Sequence, residues 1–368
     1  MKRTPLYDVH VGLGARMIGF GGWEMPVSYT DIVEEHLAVR SKAGLFDLSH
    51  MGEIEISGTG ALELIQRLTT NDASKLAPGQ VQYSLMLYPD GGIVDDLLVY
   101  RFAGHYMLVV NASNTGKDFE WIREHASGDV AVRDVSHETA LVAIQGPFSE
   151  SILQRVTDFD LSSLGYYRFA EASISVLDGK ARRACVISRT GYTGEDGFEI
   201  YIDRNYAREA WETLLETGKP EGLVPVGLGA RDSLRLEAAY SLYGHEINEE
   251  TLPYEAGLGW VVKVDKGDFV GREALLKAKE RGLVRKLVGL ELVERGVPRA
   301  GFKIVKGAEE VGYLTSGTFS PSLQKGIGLG YVSTQEARPG NELAVMIRNK
   351  PVGAKVVKTP FVESHVKK

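Results

Sequence analysis

Two adjacent carboxylates and an arginine stand in this chain where their surroundings call for a partner, and a glutamate leaves a glycine-rich loop beside an acidic turn. Asp95 and Asp96 interrupt Ile93-Val-Asp-Asp-Leu-Leu-Val-Tyr100, which reads as a strand leaving the tight turn Asp90-Gly-Gly92 after a first strand from Gln82 to Leu87. Side chains alternate along a strand, so Ile93, Asp95, Leu97 and Val99 are expected on one face and Val94, Asp96, Leu98 and Tyr100 on the other. Both faces are largely apolar, and whichever meets the core, one carboxylate is pushed toward it. A carboxylate there is costly unless it is hydrogen-bonded, paired or protonated, which makes the pair a candidate site. The plainer alternative is that one Asp caps a loop while the other is solvated.

Arg231 poses a similar question. Leu234, Ala238 and Leu242 fit the apolar stripe of a helix beginning near Ala230, so Arg231 falls in its first turn. A cation there meets the positive end of the helix dipole at a cost of ~0.3 to 1 kcal/mol. Arg235, four residues on, adds a like-charge neighbour. A carboxylate or a polar ligand should hold Arg231 in place, unless Asp232 and Glu237 compensate locally.

Glu199 lies on a strand expected from Phe198 to Ile202, sharing a face with Tyr201. That strand leaves a loop with glycines at 191, 194 and 197, a spacing that brings backbone close to something. It is no phosphate loop, because no Lys-Ser/Thr follows the glycines and the loop runs into a strand rather than a helix. His50 could serve as ligand or base, but no second histidine stands at metal-ligand spacing, so a structural hydrogen bond and no metal are expected.

The elements that must position these residues alternate between strands and helices. Residues 5 to 30, rich in glycine and aromatics, read as an ordered loop. A helix from Thr30 should end at Gly44, followed by a strand Glu53–Ser57 and a helix containing Ala61 to Leu68. After the hairpin come a strand Tyr106–Val110, a helix Asn114–His125, a short strand Leu141–Ile144, a helix Ser149–Val156 and strands near Ile174 and Val186. Gly257–Val264 is expected as a strand carrying Trp260, and Arg272–Arg281 as a basic helix whose end at Gly282 marks the main domain boundary. Five short strands then follow, near 287–292, 311–315, 327–332, 342–347 and 353–358, as in a small all-β barrel or sandwich.

The totals are those of an ordinary globular protein of two or three domains, with 43% hydrophobic and 25% charged residues. The net charge of -7 comes from 49 acids and 42 bases without long runs of either sign, which argues against nucleic-acid and membrane-surface partners. Cys185 is the sole cysteine, set in what reads as a buried strand rather than as a nucleophile. With no apolar leader at Met1 and no stretch of ~18 apolar residues, the cytoplasm is the expected compartment.

Eight segments in order resemble the T-protein of the glycine cleavage system: Gly21-Gly-Trp-Glu-Met-Pro26, Gly44-Leu-Phe-Asp-Leu-Ser-His-Met51, Thr70-Asn-Asp72, Gly91-Gly-Ile-Val-Asp-Asp96, Ile144-Gln-Gly-Pro147, Arg189-Thr-Gly-Tyr-Thr-Gly-Glu-Asp-Gly197, Gly227-Leu-Gly-Ala-Arg-Asp232 and Thr315-Ser-Gly-Thr-Phe-Ser-Pro321. The resemblance covers essentially the whole chain. It implies an α+β fold, a three-domain cloverleaf around a central cavity for tetrahydrofolate. Two interwoven mixed α/β domains would span residues 1–282, and a C-terminal β-barrel domain 283–368.

The implied reaction belongs to glycine catabolism: an aminomethyl group on the dihydrolipoyl arm of H-protein passes its carbon to tetrahydrofolate, giving 5,10-methylenetetrahydrofolate and ammonia. By residue matching, Asp96 would be the functional aspartate and Glu199 would bind the pterin. Arg231 would line the folate and substrate site. Met51, Tyr83, Tyr100, Val110, Tyr192 and Trp260 would surround the rings. Where some members carry tyrosines after the terminal Pro-Phe, this chain has none.

Two other readings of the scaffold are a tetrahydrofolate-dependent demethylase and a non-catalytic folate-binding factor. The demethylases of sarcosine and dimethylglycine carry a flavin domain whose dinucleotide motif does not precede this scaffold. The factors of iron–sulfur assembly carry a cysteine that Tyr240-Ser-Leu-Tyr-Gly-His-Glu246 lacks.

Overall fold

Three β structures meet around one cavity. The computed structural model describes residues 1–176 and 179–367. A five-stranded sheet runs in the spatial order Gln80–Leu87, Ile93–Arg101, His105–Val110, Gly52–Ser57, Ala131–Asp134. A six-stranded sheet runs Phe169–Val176, Ala181–Ser188, Gly197–Asp203, Thr139–Gln145, Ala43–Asp47, Leu223–Pro225. The chain crosses between the two sheets after Asp47 and returns after Asp134, so the five-stranded sheet is one continuous stretch inserted between Ala43–Asp47 and the remaining strands of the six-stranded sheet.

The sheets pack face to face. Phe46, Leu141, Ala143 and Tyr201 of one meet Val81, Tyr100, Phe102, Met107 and Val109 of the other in a shared core. Alternation then sends Val142, Ile144, Phe198 and Ile200 to the opposite side, under helices carrying Ile152, Trp211 and Leu214. On the far side of the five-stranded sheet, Ile54, Ile56, Leu108 and Val110 pack beneath Ile65 and Ile122 of the helices Ala61–Leu68 and Thr115–His125.

Residues 285–357 close a six-stranded barrel, in the order Arg285–Leu292, Lys325–Ser333, Glu309–Ser320, Lys303–Lys306, Glu342–Ile347, Lys350–Val357. Closure leaves no unpaired sheet edge. The sequence pattern gave five of these strands; the sixth, Lys303–Lys306, is a four-residue run whose flanking lysines mask the apolar Ile304 and Val305. After the barrel the chain folds back: the Phe361 N–H donates to the Glu237 carbonyl at 2.9 Å, and the His365 N–H to that of Gly194 at 2.8 Å.

Several local expectations are corrected. Residues 5 to 30 are not a loop: they form a helical turn, Tyr7–Gly12, and a hairpin of Arg16–Phe20 with Trp23–Ser28, to which Lys2–Arg3 adds a third strand. The tight Gly21-Gly22 turn, with φ of +55° and +85°, supplies the reversal that the composition alone did not place. The helix Ile32–Ser41 ends three residues before Gly44, which sits instead in the buried strand Ala43–Asp47. There a Cβ would lie 2.6 Å from Val39 and Val226, so the glycine serves close packing rather than a cap. Gly257–Val264 is not a strand: it contains one 3₁₀ turn, Gly259–Val261, which buries Val261 and turns Trp260 outward.

Candidate functional site

The Asp strand Ile93–Arg101 is irregular where it matters. Its register against Gln80–Leu87 slips between Met86 and Leu87, leaving Val94 as an extra residue on the Asp strand. Val94 therefore joins Leu97 and Val99 in the helix-side core, rather than sharing a face with Asp96 as simple alternation predicts. Both expectations for the aspartates collapse into one arrangement. Asp95 is fully buried behind the sheet, while Asp96 looks into a cavity of about 1010 Å³ at the junction of the two sheets and the barrel.

A single side chain ties the pair together. Asn111, just after the strand His105–Val110, donates from Nδ2 to Asp95 Oδ1 and to Asp96 Oδ1, both at 2.8 Å. Its backbone N–H reaches Asp95 Oδ2 at 3.0 Å, and Asn114 Nδ2 adds a bond of 2.7 Å to Asp95 Oδ1. Asp96 Oδ2 accepts from the Tyr83 hydroxyl at 3.1 Å. Burial, followed by the neighbouring Asp95 charge, pushes the Asp96 carboxyl up to about 7, against the bonds from Asn111 and Tyr83 that favour its anion. Asn111 was not singled out in the sequence; the available signal was a polar residue ending an apolar strand two positions after Val109.

Tyr83 and Trp260 stack at 5.8 Å with 19° between their planes, and both line the cavity. Trp260 remains 60% exposed, an unusual state for an indole that nothing else covers. Across the space, Glu199 faces in from the six-stranded sheet by the same alternation that buries Phe198 and Ile200. It accepts from Thr190 Oγ1, and burial raises its affinity for a proton, tempered by that bond and by Arg231.

The glycine loop explains how Thr190 and Tyr192 reach the wall. A Cβ on Gly191 would lie 1.9 Å from Gln145 Oε1, and one on Gly197 2.5 Å from its Nε2. What the backbone approaches is thus the Gln145 side chain, which accepts from Thr193 at 2.9 Å and donates to the Thr190 carbonyl at 3.1 Å.

Arg231 has no carboxylate partner among the described residues. Asp232 is engaged with Arg235, and Glu237 with His36 and Arg40, so neither offers the local compensation that the sequence allowed. The guanidinium lies over the Tyr192 ring, 4.6 Å from its centroid, on the cavity wall. Burial pulls its pKa down, opposed chiefly by Tyr192 and Glu199.

His50 differs from expectation. It is 2% exposed, and its Nδ1 is buried without a hydrogen-bond partner among the described residues. Burial first and Arg231 second push it down to about 4, so it is a neutral imidazole at the cavity wall, with its ring edge-on to Phe20 at 5.8 Å.

Of the ring-binding candidates, Met51, Tyr83, Tyr192 and Trp260 line the cavity. Tyr100 and Val110 are placed otherwise. Val110 is buried in the helix-side core, and alternation puts Val109 on the wall instead. Tyr100 is fully buried behind the wall, bonded through its hydroxyl to Ser188, Thr190 and Tyr201 at 3.1, 3.3 and 2.9 Å. It braces the threonine that holds Glu199.

With this geometry in hand, comparison decides the family. The GCVT N-terminal domain matches residues 6–266, and the glycine cleavage T-protein C-terminal barrel domain matches residues 285–363. The chain belongs to the glycine cleavage T-protein family of aminomethyltransferases. The aminomethyltransferase of Desulforamulus reducens is 53% identical over 367 residues, covering 100% of this chain and 99% of that protein. That of Symbiobacterium thermophilum is 54% identical over 372 residues, at 99% and 98% coverage. The crystal structure of glycine cleavage system aminomethyltransferase T from Bartonella henselae superposes with a TM-score of 0.92 at 36% identity, covering 100% of this chain and 99% of that one. No helix among the described residues is long and apolar enough to cross a membrane.

Proposed function

We propose that this T-protein family member takes the aminomethyl group from the lipoyl arm of H-protein and delivers its carbon to tetrahydrofolate bound in the central cavity. The observation that carries the reading is a carboxyl on the cavity wall, Asp96, poised to exchange a proton near neutral pH across from an unpaired guanidinium. The residues present suit a reduced folate. Glu199 is a buried acceptor for the pterin's amino and ring N–H donors, Tyr83 and Trp260 offer flat aromatic surface, and Arg231 lacks an anion.

Tetrahydrofolate supplies the two nitrogens, N5 and N10, that take up the one-carbon unit. In the balanced reaction the carbon exchanges its bonds to sulfur and to the amine for bonds to these nitrogens, whose two protons end on the thiol and on ammonia. Asp96 holds and moves a proton at that exchange, and its anion favours the positive charge that develops at the attacked carbon. Tyr83 and Asn111 fix the direction of the carboxylate. His50, held neutral, adds no competing cation beside Arg231.

In this reading residues 1–282 form the folate-binding region and 283–368 the barrel domain. The barrel's Leu287, Val288 and Leu329, with Thr359 and Pro360 of the tail, complete the wall. Neither a nucleic acid nor a membrane is a partner, and the enzyme acts in the cytoplasm.

The experiment is ammonia release from aminomethyl-lipoyl carrier protein with and without tetrahydrofolate. Fast, folate-dependent release is expected. If folate binds but release is no faster with it, the donor is wrong, and small methylated amines replace the carrier in the next assay.

A further inference from the structure

Behind the Asp strand lies a second buried carboxyl that the mechanism above leaves unused. Asp118, early in the helix Thr115–His125, is fully buried, and neither of its carboxyl oxygens accepts a hydrogen bond from any donor among the described residues. It stands one helical turn after Asn114, whose carbonyl takes the Asp118 N–H at 2.8 Å and whose side-chain amide bonds Asp95 at 2.7 Å, so the two carboxyls are neighbours. The adjacent Lys117 is turned elsewhere, donating to the Val94 carbonyl at 2.5 Å and to the Tyr243 hydroxyl at 3.2 Å. Neighbouring carboxyls in a dry site are not both ionised, so one keeps a proton that it can donate to the other.

The surrounding donors decide which. Asp95 already accepts from the Asn111 N–H, the Asn111 amide and the Asn114 amide, so its oxygens are occupied as acceptors. Asp118 has no such support. Burial, and then the Asp95 charge, push it up to about 11.

We propose that Asp118 is a neutral carboxylic acid donating to Asp95, and that this proton-sharing pair, through Asn111, is the positioning device for Asp96. The inference rests on the reading of Asp96 given above. Asp118 fixes the rotamer of Asp95, Asp95 fixes the Asn111 amide, and that amide reaches forward to Asp96 Oδ1. The pair also keeps a single negative charge behind the cavity wall, the charge that helps Asp96 retain a proton into the neutral range. The groups facing Asp118 are Asp95 and Asp96 from the strand, Lys117 from its own helix, and Tyr88 and Tyr243 from the segments packed over it. Those facing Asp96 are Asp95, Tyr83, Tyr167 and Tyr192.

The test compares Asp118→Ala with Asp118→Asn, whose amide can still donate to Asp95 but cannot ionise. In Asp118→Ala, kcat is expected to fall about tenfold, the loss of one hydrogen bond to a charged group. The KM for tetrahydrofolate should stay put, and the acidic limb of the pH profile should move. Asp118→Asn should recover most of the rate with the limb in its original place.

Wild-type rate and profile in a folded Asp118→Ala would reduce Asp118 to filler and overturn the proposal. A displaced limb in Asp118→Asn would show that Asp118 carries charge, and would overturn it too. Should the alanine variant not fold, infrared spectra of the wild type and Asp118→Asn at a pH above 7 decide the matter. A protonated-carboxyl carbonyl stretch present in the former and missing from the latter is expected, and identical spectra would refute it. That readout needs no turnover, so its failure is separable from failure of the aminomethyl-transfer reading.

Discussion

Arg231 and Arg235 stand one turn apart on the helix Leu228–Glu237 and face opposite fates. Arg235 is saturated: it reaches Asp232 at 2.8 Å, Glu246 at 2.7 Å, the Tyr240 carbonyl at 3.1 Å and, across to the barrel, Ser316 at 2.8 Å. Arg231, on the side facing the cavity, has among the described residues only the face of Tyr192. The adjacent aspartates repeat the contrast, Asp95 enclosed by amide donors behind the sheet and Asp96 left half-free in front. Charges that hold the structure together are satisfied within it, and charges facing the cavity are left short of partners, which is the condition for binding something else there.

The sharpest way to break this contrast is through the carboxylates. Asp96→Asn should lower kcat by about 10²–10⁴, the usual worth of a positioned proton-transfer group, while thermal melting shows the fold intact. Full activity in Asp96→Asn together with loss in Asp95→Asn would exchange their roles.

The arginines come next. Arg235→Met strands Glu246 in the core and should destabilise the protein by ~3–5 kcal/mol in denaturant titration. Arg231→Met should leave stability nearly unchanged and instead weaken binding, read as a higher KM for folate or carrier. Equal destabilisation by the two substitutions would erase the distinction.

A third test uses pH. With the Asp96 carboxyl at about 7, well above its ordinary value of 3.8, kcat/KM should rise with pH through that region as the anion forms. Stability should run the other way. Between these two values the folded state binds more protons than the unfolded, so the contribution of Asp96 is present in full below about 3.8 and lost as pH rises through about 7. Asp96→Asn should remove that part of the decline in melting temperature; an unchanged decline would deny the raised proton affinity.

The smallest effect is expected at the aromatic wall. Trp260→Ala forfeits a stacking surface worth ~0.5–1.5 kcal/mol, a several-fold rise in the KM for tetrahydrofolate with kcat kept.

Much of this was readable in advance where a residue type conflicts with its surroundings. Asp95-Asp96 within an apolar strand and Arg231 at the wrong end of a helix dipole each signalled a cost that something had to offset, whereas Glu199 was placed by strand alternation and given its role by the family resemblance. The hairpin, the helices Ala61–Leu68 and Arg272–Arg281, and most barrel strands followed from period and turn residues. The hairpin within residues 5–30 did not, because glycine and aromatic residues suit a loop and a strand equally. Nor did the 3₁₀ turn at Trp260, since a short apolar run carries no period of its own.

By itself the sequence determined which residues carry unbalanced charge and, through strand alternation, which neighbours share a face, because both are properties of a chain a few residues long. Only the tertiary structure decided which charges would be answered. Asp232 and Glu237 were the nearest candidates for Arg231 in sequence, yet they are claimed by Arg235 and by His36 and Arg40. Strand alternation sets the aspartates in two layers, and Asn111, Asn114 and Asp118 arrive from a following strand end and helix to distinguish them. Arg235 apart, which takes Asp232 from one turn along the same helix, these partners come from ~15 to 200 residues away and leave no local period to read, and here they set which carboxyl is buried structure and which is chemistry.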